Sequence, residues 1–120
     1  MKKICSFLER SKALLLVSAL SFTFVCCSKK YLIPIQADVS VAQSHWPGTT
    51  FAKLTKGYDI YTDKCSDCHR LRNPKKYSVA DWNNKYMPTM GRKAKLTPDE
   101  YYLVLHYILA KREELTAPKK

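Results

Sequence analysis

From residue 50 onward, apolar positions recur at helical spacing. Phe51, Leu54, Tyr58 and Tyr61 step by three, four and three, and Cys65 falls four further on the same face. This spacing predicts an amphipathic helix that leads its apolar stripe to residue 65. Gly57 lies inside that helix at a cost of about 1 kcal/mol relative to alanine. Ser78, with Asp81 three residues later, predicts a second capped helix start. Val79, Trp82 and Tyr86 form its apolar face, and Pro88 is expected to kink or end it near Met87. The run Met87-Pro88-Thr89-Met90-Gly91 then forms the exit. Thr97-Pro98-Asp99-Glu100 is the clearest helix start, with Thr as cap, Pro at the first helical position and Glu in the capping-box place. Tyr101, Val104, Leu105 and Ile108 share one face of the long helix that follows. Lys111 and Arg112 are expected in its last turn, where cations suit the helix dipole, and 116–120 is a tail. No strand pattern competes, so the expected fold class is all-α.

The first half reads differently. Residues 38–45 allow a helical turn or two, and Trp46-Pro47-Gly48 ends them with a turn. Pro34 between Ile33 and Ile35 suggests an extended tether over 29–36, within a 28–49 segment leading to a single domain at 50–115. Residues 1–27 read as a targeting segment. Lys2, Lys3, Arg10 and Lys12 supply a positive start, and the apolar run at 13–25 is short for a spanning helix, which needs about 20 apolar residues. A cleaved export signal is therefore expected over an uncleaved anchor. Val25-Cys26-Cys27-Ser28 resembles a bacterial lipoprotein cleavage site, which implies Cys27 as the lipidated new N-terminus. The small residue wanted before the cut is Cys26. Phe24 departs from the aliphatic residue usual there, and an ordinary soluble signal is the alternative.

A chain of 120 residues supports one small domain. Domains of this size often need a metal, cofactor or disulfide to stabilise a modest core. Disulfides are not the expected answer. Of the five cysteines, Cys5 and Cys26 would leave with the signal and Cys27 would carry lipid, leaving Cys65 and Cys68. The net charge is +11, and loss of Lys2, Lys3, Glu9, Arg10 and Lys12 leaves +8. That balance favours encounter with acidic or anionic partners. Nucleic acid is a poor partner for an exported protein.

The two remaining cysteines belong to Cys65-Ser66-Asp67-Cys68-His69, a C-x-x-C-H run. Zinc would need four ligands, usually with a second distant pair. A thioredoxin-like dithiol needs a strand-helix-strand frame and leaves His69 unexplained. Covalent attachment of haem c uses all three residues: each thiol adds across a vinyl group, and the imidazole becomes an axial iron ligand.

With this motif intact, residues 50–110 resemble the small monohaem c-type cytochromes. The resemblance implies a small cytochrome c-like helical domain wrapped around one covalently bound haem. Gly57 and Tyr61 match the positions where the first helix of that family crosses the last. A carbonyl near Pro74 would orient His69, with Leu71 lining the pocket. Trp82, Met90, Lys93, Leu96 and Glu100 follow the family's order of helix Trp, ligand Met, basic residues, Leu and final capped helix. Met90 is the expected second axial ligand. It continues the Val79, Trp82, Tyr86 stripe by a step of four and precedes Gly91, which would let the chain pass close to the porphyrin. Met87, off that stripe, is the alternative. His45 is expected to be exposed and His106 partly buried structure, with imidazole a competent iron ligand in principle.

Arg70, Arg72, Lys75, Lys76, Lys85, Arg92, Lys93 and Lys95 flank both expected ligands. They would raise the rate of encounter with acidic docking surfaces on redox protein partners, or merely solvate the domain. The expected function is single-electron transfer on the periplasmic side of a bacterial membrane, through a lipid anchor, with no small-molecule substrate and no catalysed reaction. The alternatives are a subunit of a larger oxidoreductase complex and a five-coordinate haem sensor or weak peroxidase.

Overall fold

The computed structural model describes residues 32–118. The export signal, lipidation at Cys27, the start of the tether and residues 119–120 of the tail lie outside the described residues. Five α-helical segments follow in order: α1 (Gln36–His45), α2 (Phe51–Lys64), α3 (Val79–Asp81), α4 (Met87–Lys93) and α5 (Pro98–Thr116). A 3₁₀ turn spans Pro74–Lys76, and a π turn, Trp82–Tyr86, joins α3 to α4. The described residues contain no strand, as an all-α chain requires.

Helix α5 is the element against which the others pack. Thr97 accepts from the Glu100 N–H while the Glu100 carboxylate accepts from the Thr97 N–H at 3.0 Å, which closes the expected capping box. The helix runs to Thr116, so Lys111 and Arg112 are not in its last turn. Val104, Tyr107, Ile108 and Ala110 are buried. Tyr107 lies outside the stripe expected for this helix, and its burial follows from α5 receiving helices on more than one side. Each fully buried large apolar side chain contributes about 1.5–3 kcal/mol.

Helix α2 crosses α5 at Gly57. A methyl group there would collide with the Leu103 carbonyl oxygen and come within 2.9 Å of Tyr107 Cβ. Leu54, Tyr61 and Cys65 are buried on the same face, as the spacing predicts, with Tyr58 half-buried. Phe51 is the exception at 46% exposed, because it opens the helix just beyond the core.

Helix α1 begins two residues before the expected start, where Asp38 caps it, and is tied to α5 by charge. Asp38 and Lys111 form a 2.6 Å ion pair with both side chains 1% exposed, and Glu114 lies 3.5 Å from the same ammonium. Asp38 also accepts from the Ile35 N–H at 2.6 Å. Removing either partner would strand a buried charge, at about 3–5 kcal/mol. Within the expected tether, Leu32 is buried and its carbonyl accepts from the Tyr107 hydroxyl at 2.7 Å, while Ile33 and Ile35 stay exposed.

The segment around Pro88 departs furthest from expectation. The helix does not stop near Met87. Proline lacks an N–H and its ring clashes with the carbonyl four residues back in a regular α-helix. Here the preceding turn is widened to π geometry, with the Met87 N–H donating to the Trp82 carbonyl five residues back. The extra residue shifts the face. Trp82 and Met87 both become fully buried, Tyr86 and Met90 follow at a step of four, and Val79 is 46% exposed. Met87 is therefore a core residue, although the sequence periodicity leaves it off the stripe. Gly91 lies within α4, where a Cβ would come within 2.8 Å of the Tyr101 ring.

Candidate functional site

Helix α2 ends at Lys64, and the C-x-x-C-H residues form the turn after it. Cys65 caps the helix and is buried, whereas Cys68 and His69 are exposed; both thiols are free. The following loop is pinned through its main chain. Tyr61 Oη donates to the Arg72 carbonyl at 2.6 Å, Trp82 Nε1 to the Pro74 carbonyl at 2.9 Å, and Arg112 Nε to the Tyr77 carbonyl at 2.7 Å. Side chains from α2, the π turn and α5 thus hold one short loop.

That loop and α4 enclose a cleft of about 290 Å³, open to solvent on one side. Cys65, Cys68 and His69 line it together with Met90, and Lys64, Arg72, Lys85, Tyr86, Thr89, Lys93 and Ala94 complete its walls. Among the expected site residues, Met87 does not line the cleft; its side chain is fully buried in the core. Leu71 packs against the core rather than lining the cleft. The Pro74 carbonyl is taken by the Trp82 indole, and His69 Nδ1 lies 2.9 Å from the Arg70 carbonyl instead. With the proton on Nδ1 donated there, Nε2 keeps its lone pair for a metal.

Burial pushes the Cys65 thiol up to about 11, with Asp67 and Cys68 adding to the effect and Lys64 opposing it. A thiol held that high is protonated at neutral pH, so Cys65 is not itself an activated nucleophile. Among the described residues, no cluster of three or more His, Cys, Asp or Glu is arranged to hold a metal ion. The chemistry of the donor set fits haem better. Two thiols suit covalent attachment, and an imidazole and a thioether on separate segments are both iron ligands in haem proteins.

His45 and His106 are brought together elsewhere. His45 is exposed and lies 3.0 Å from Glu113, while the half-buried His106 stacks on Trp46 with centroids 4.1 Å apart. Both line a second cleft with Val79, Asn83, Tyr102, Leu105 and Leu109. Neither lines the Cys65 cleft.

Sequence reasoning did not identify Tyr86, Thr89 and Ala94 as cleft residues. Their signal was present: 85, 86, 89, 90, 93 and 94 lie on one helical face, at steps of one, three, one, three and one. Among the described residues, no helix is long and apolar enough to cross a membrane. The chain matches no family model, and no curated protein or solved structure is similar to it at a significant level.

Proposed function

We propose that this protein is a single-electron carrier that holds one haem c in the Cys65 cleft. Cys65 and Cys68 carry the thioether bonds, and His69 and Met90 are the axial ligands. The observation that carries this reading is the shared cleft: the C-x-x-C-H turn and Met90, about twenty residues apart in sequence, line the same cavity. When bound, haem iron supplies reversible one-electron chemistry between its ferric and ferrous states.

The chain's own residues do the rest. The pinned loop fixes His69 relative to α4, and the π turn keeps Met87 in the core while Met90 lines the cleft. Trp82, Tyr61 and Tyr107 fill the interior behind the site and keep water out of it. A methionine ligand raises the iron potential relative to a second histidine. Lys64, Arg72, Lys85 and Lys93 line the cleft with no carboxylate among the lining residues. This charge suits brief encounters with acidic surfaces of redox partners, either freely diffusing or in an oxidoreductase complex. The chain is exported and anchored through lipid on Cys27 to the periplasmic side of the membrane.

Optical spectra of the purified haem protein test the carrier reading against a sensor or peroxidase. A six-coordinate, low-spin ferrous form that does not bind CO readily is expected. Fast CO binding by the unmodified protein would instead mean an open iron position and overturn the carrier assignment.

A further inference from the structure

The second cleft, of about 360 Å³, shares no lining residue with the first. Its walls are apolar and uncovered. Of the five large apolar side chains exposed among the described residues, two line it: Tyr102 at 58% and Val79 at 46%. Trp46, Leu105 and Leu109 continue the surface, and the Trp46 indole lies nearly parallel to the His106 ring, at 15°. Binding sites for small molecules combine such apolar walls with a few placed polar groups.

Three polar groups in this cleft are uncommitted. Among the described residues, no hydrogen bond engages the His106 ring, the Asn83 carboxamide or the Tyr102 hydroxyl. Burial keeps the His106 imidazole neutral at pH 7, and Lys53 adds to the effect from outside the lining. A neutral imidazole offers one N–H donor and one acceptor lone pair. Charge narrows the choice of ligand. No lysine or arginine lines the cleft, and His45 and Glu113 already engage each other at 3.0 Å. An anion would meet the Glu113 carboxylate without a lining cation to hold it, and a cation would find that carboxylate taken.

We infer that the His106 cleft binds an uncharged aromatic ring bearing a hydroxyl group, of the phenol or hydroquinone class. The ring lies against Trp46, Tyr102 and Leu105, and its hydroxyl bonds to His106. A hydroxyl both donates and accepts, so it can use either imidazole nitrogen. The inference stands apart from the haem reading, since none of these residues lines the Cys65 cleft.

The test is proton NMR of the purified full chain under reducing conditions, following the His106 and Trp46 ring signals as naphthol, its methyl ether or naphthoate is added. Naphthol is expected to shift both signals saturably. The ether, which cannot donate, is expected to bind about tenfold more weakly, as loss of one hydrogen bond implies. Naphthoate is expected to leave both signals unmoved. In His106→Phe, which keeps a ring against Trp46 and loses both nitrogens, naphthol and its ether are expected to bind alike, read at Trp46. Val79→Trp, which fills the cleft from an exposed position, is expected to abolish binding of both. The inference is overturned if naphthol gives no saturable shift in the parent, if the parent does not separate naphthol from its ether, or if naphthoate binds as well as naphthol. Discrimination that persists in a folded His106→Phe protein overturns it too. Should that variant not fold, the three probes in the parent decide alone. Absence of haem from the parent protein would contradict the carrier reading and leave these comparisons intact.

Discussion

Two methionines three residues apart have different environments. Met90 is 9% exposed and lines the cleft, whereas Met87 is fully buried behind it. Replacing Met90 by Ala is expected to yield a high-spin or CO-binding haem with the fold retained. Met87→Ala is expected to leave ligation intact and to cost about 2–5 kcal/mol, the usual range for truncating a buried methionine. Spectra and denaturant unfolding of the two variants measure the difference; a CO-binding haem from Met87→Ala alone would reverse the ligand assignment. Met90 was legible in the sequence because a step of four from Tyr86 survives the π turn. The burial of Met87 was not, because a straight helical repeat cannot register one added residue. Arg72 was visible only as one of many cations, since its contacts with Tyr77 and Tyr86 depend on how the loop packs and not on helical spacing.

At the scale of elements, the strong local signals translated directly. The Thr97 capping box, the Ser78 cap and the Gly57 crossing are all present because each depends on neighbours at fixed spacing or on a missing side chain. The burial of Asp38 was hidden, since it depends on meeting Lys111, 73 residues away in sequence. The same packing sets His106, on α5, against Trp46, which follows α1. Burial, with the Lys53 charge adding to it, holds the His106 imidazole below its usual 6.5. The unfolded chain thus takes up a proton near pH 6.5 and the folded chain only at lower pH. Stability from neutral His106 is full above that value and falls as the pH drops through the interval below it. Thermal midpoints at about pH 7.5 and about pH 5.5 are expected to show this loss, and His106→Phe to reduce it. An unchanged slope in the variant would mean that other groups carry the acid sensitivity.

Across the whole molecule, the helices leave one cleft that carries the motif and cations without acidic lining. The all-α class was legible from periodicity, and the proposed chemistry rests on five consecutive residues. The shape of the cleft around them was not, because it depends on side chains from α2, the π turn and α5 bonding to the main chain of one loop. Export and anchoring belong to this scale too. Cys27→Ser is expected to move the protein from the membrane fraction to the soluble periplasmic fraction, and unchanged membrane association would refute the lipid anchor. The central claim is covalent haem in the Cys65 cleft. Its most direct measurement is the intact mass of the denatured, purified chain, compared with a Cys65→Ser, Cys68→Ser double variant. The parent is expected to retain the added mass of one haem and the variant to lose it. A parent chain at its bare polypeptide mass, recovered from cells that make other c-type haem proteins, would contradict the account.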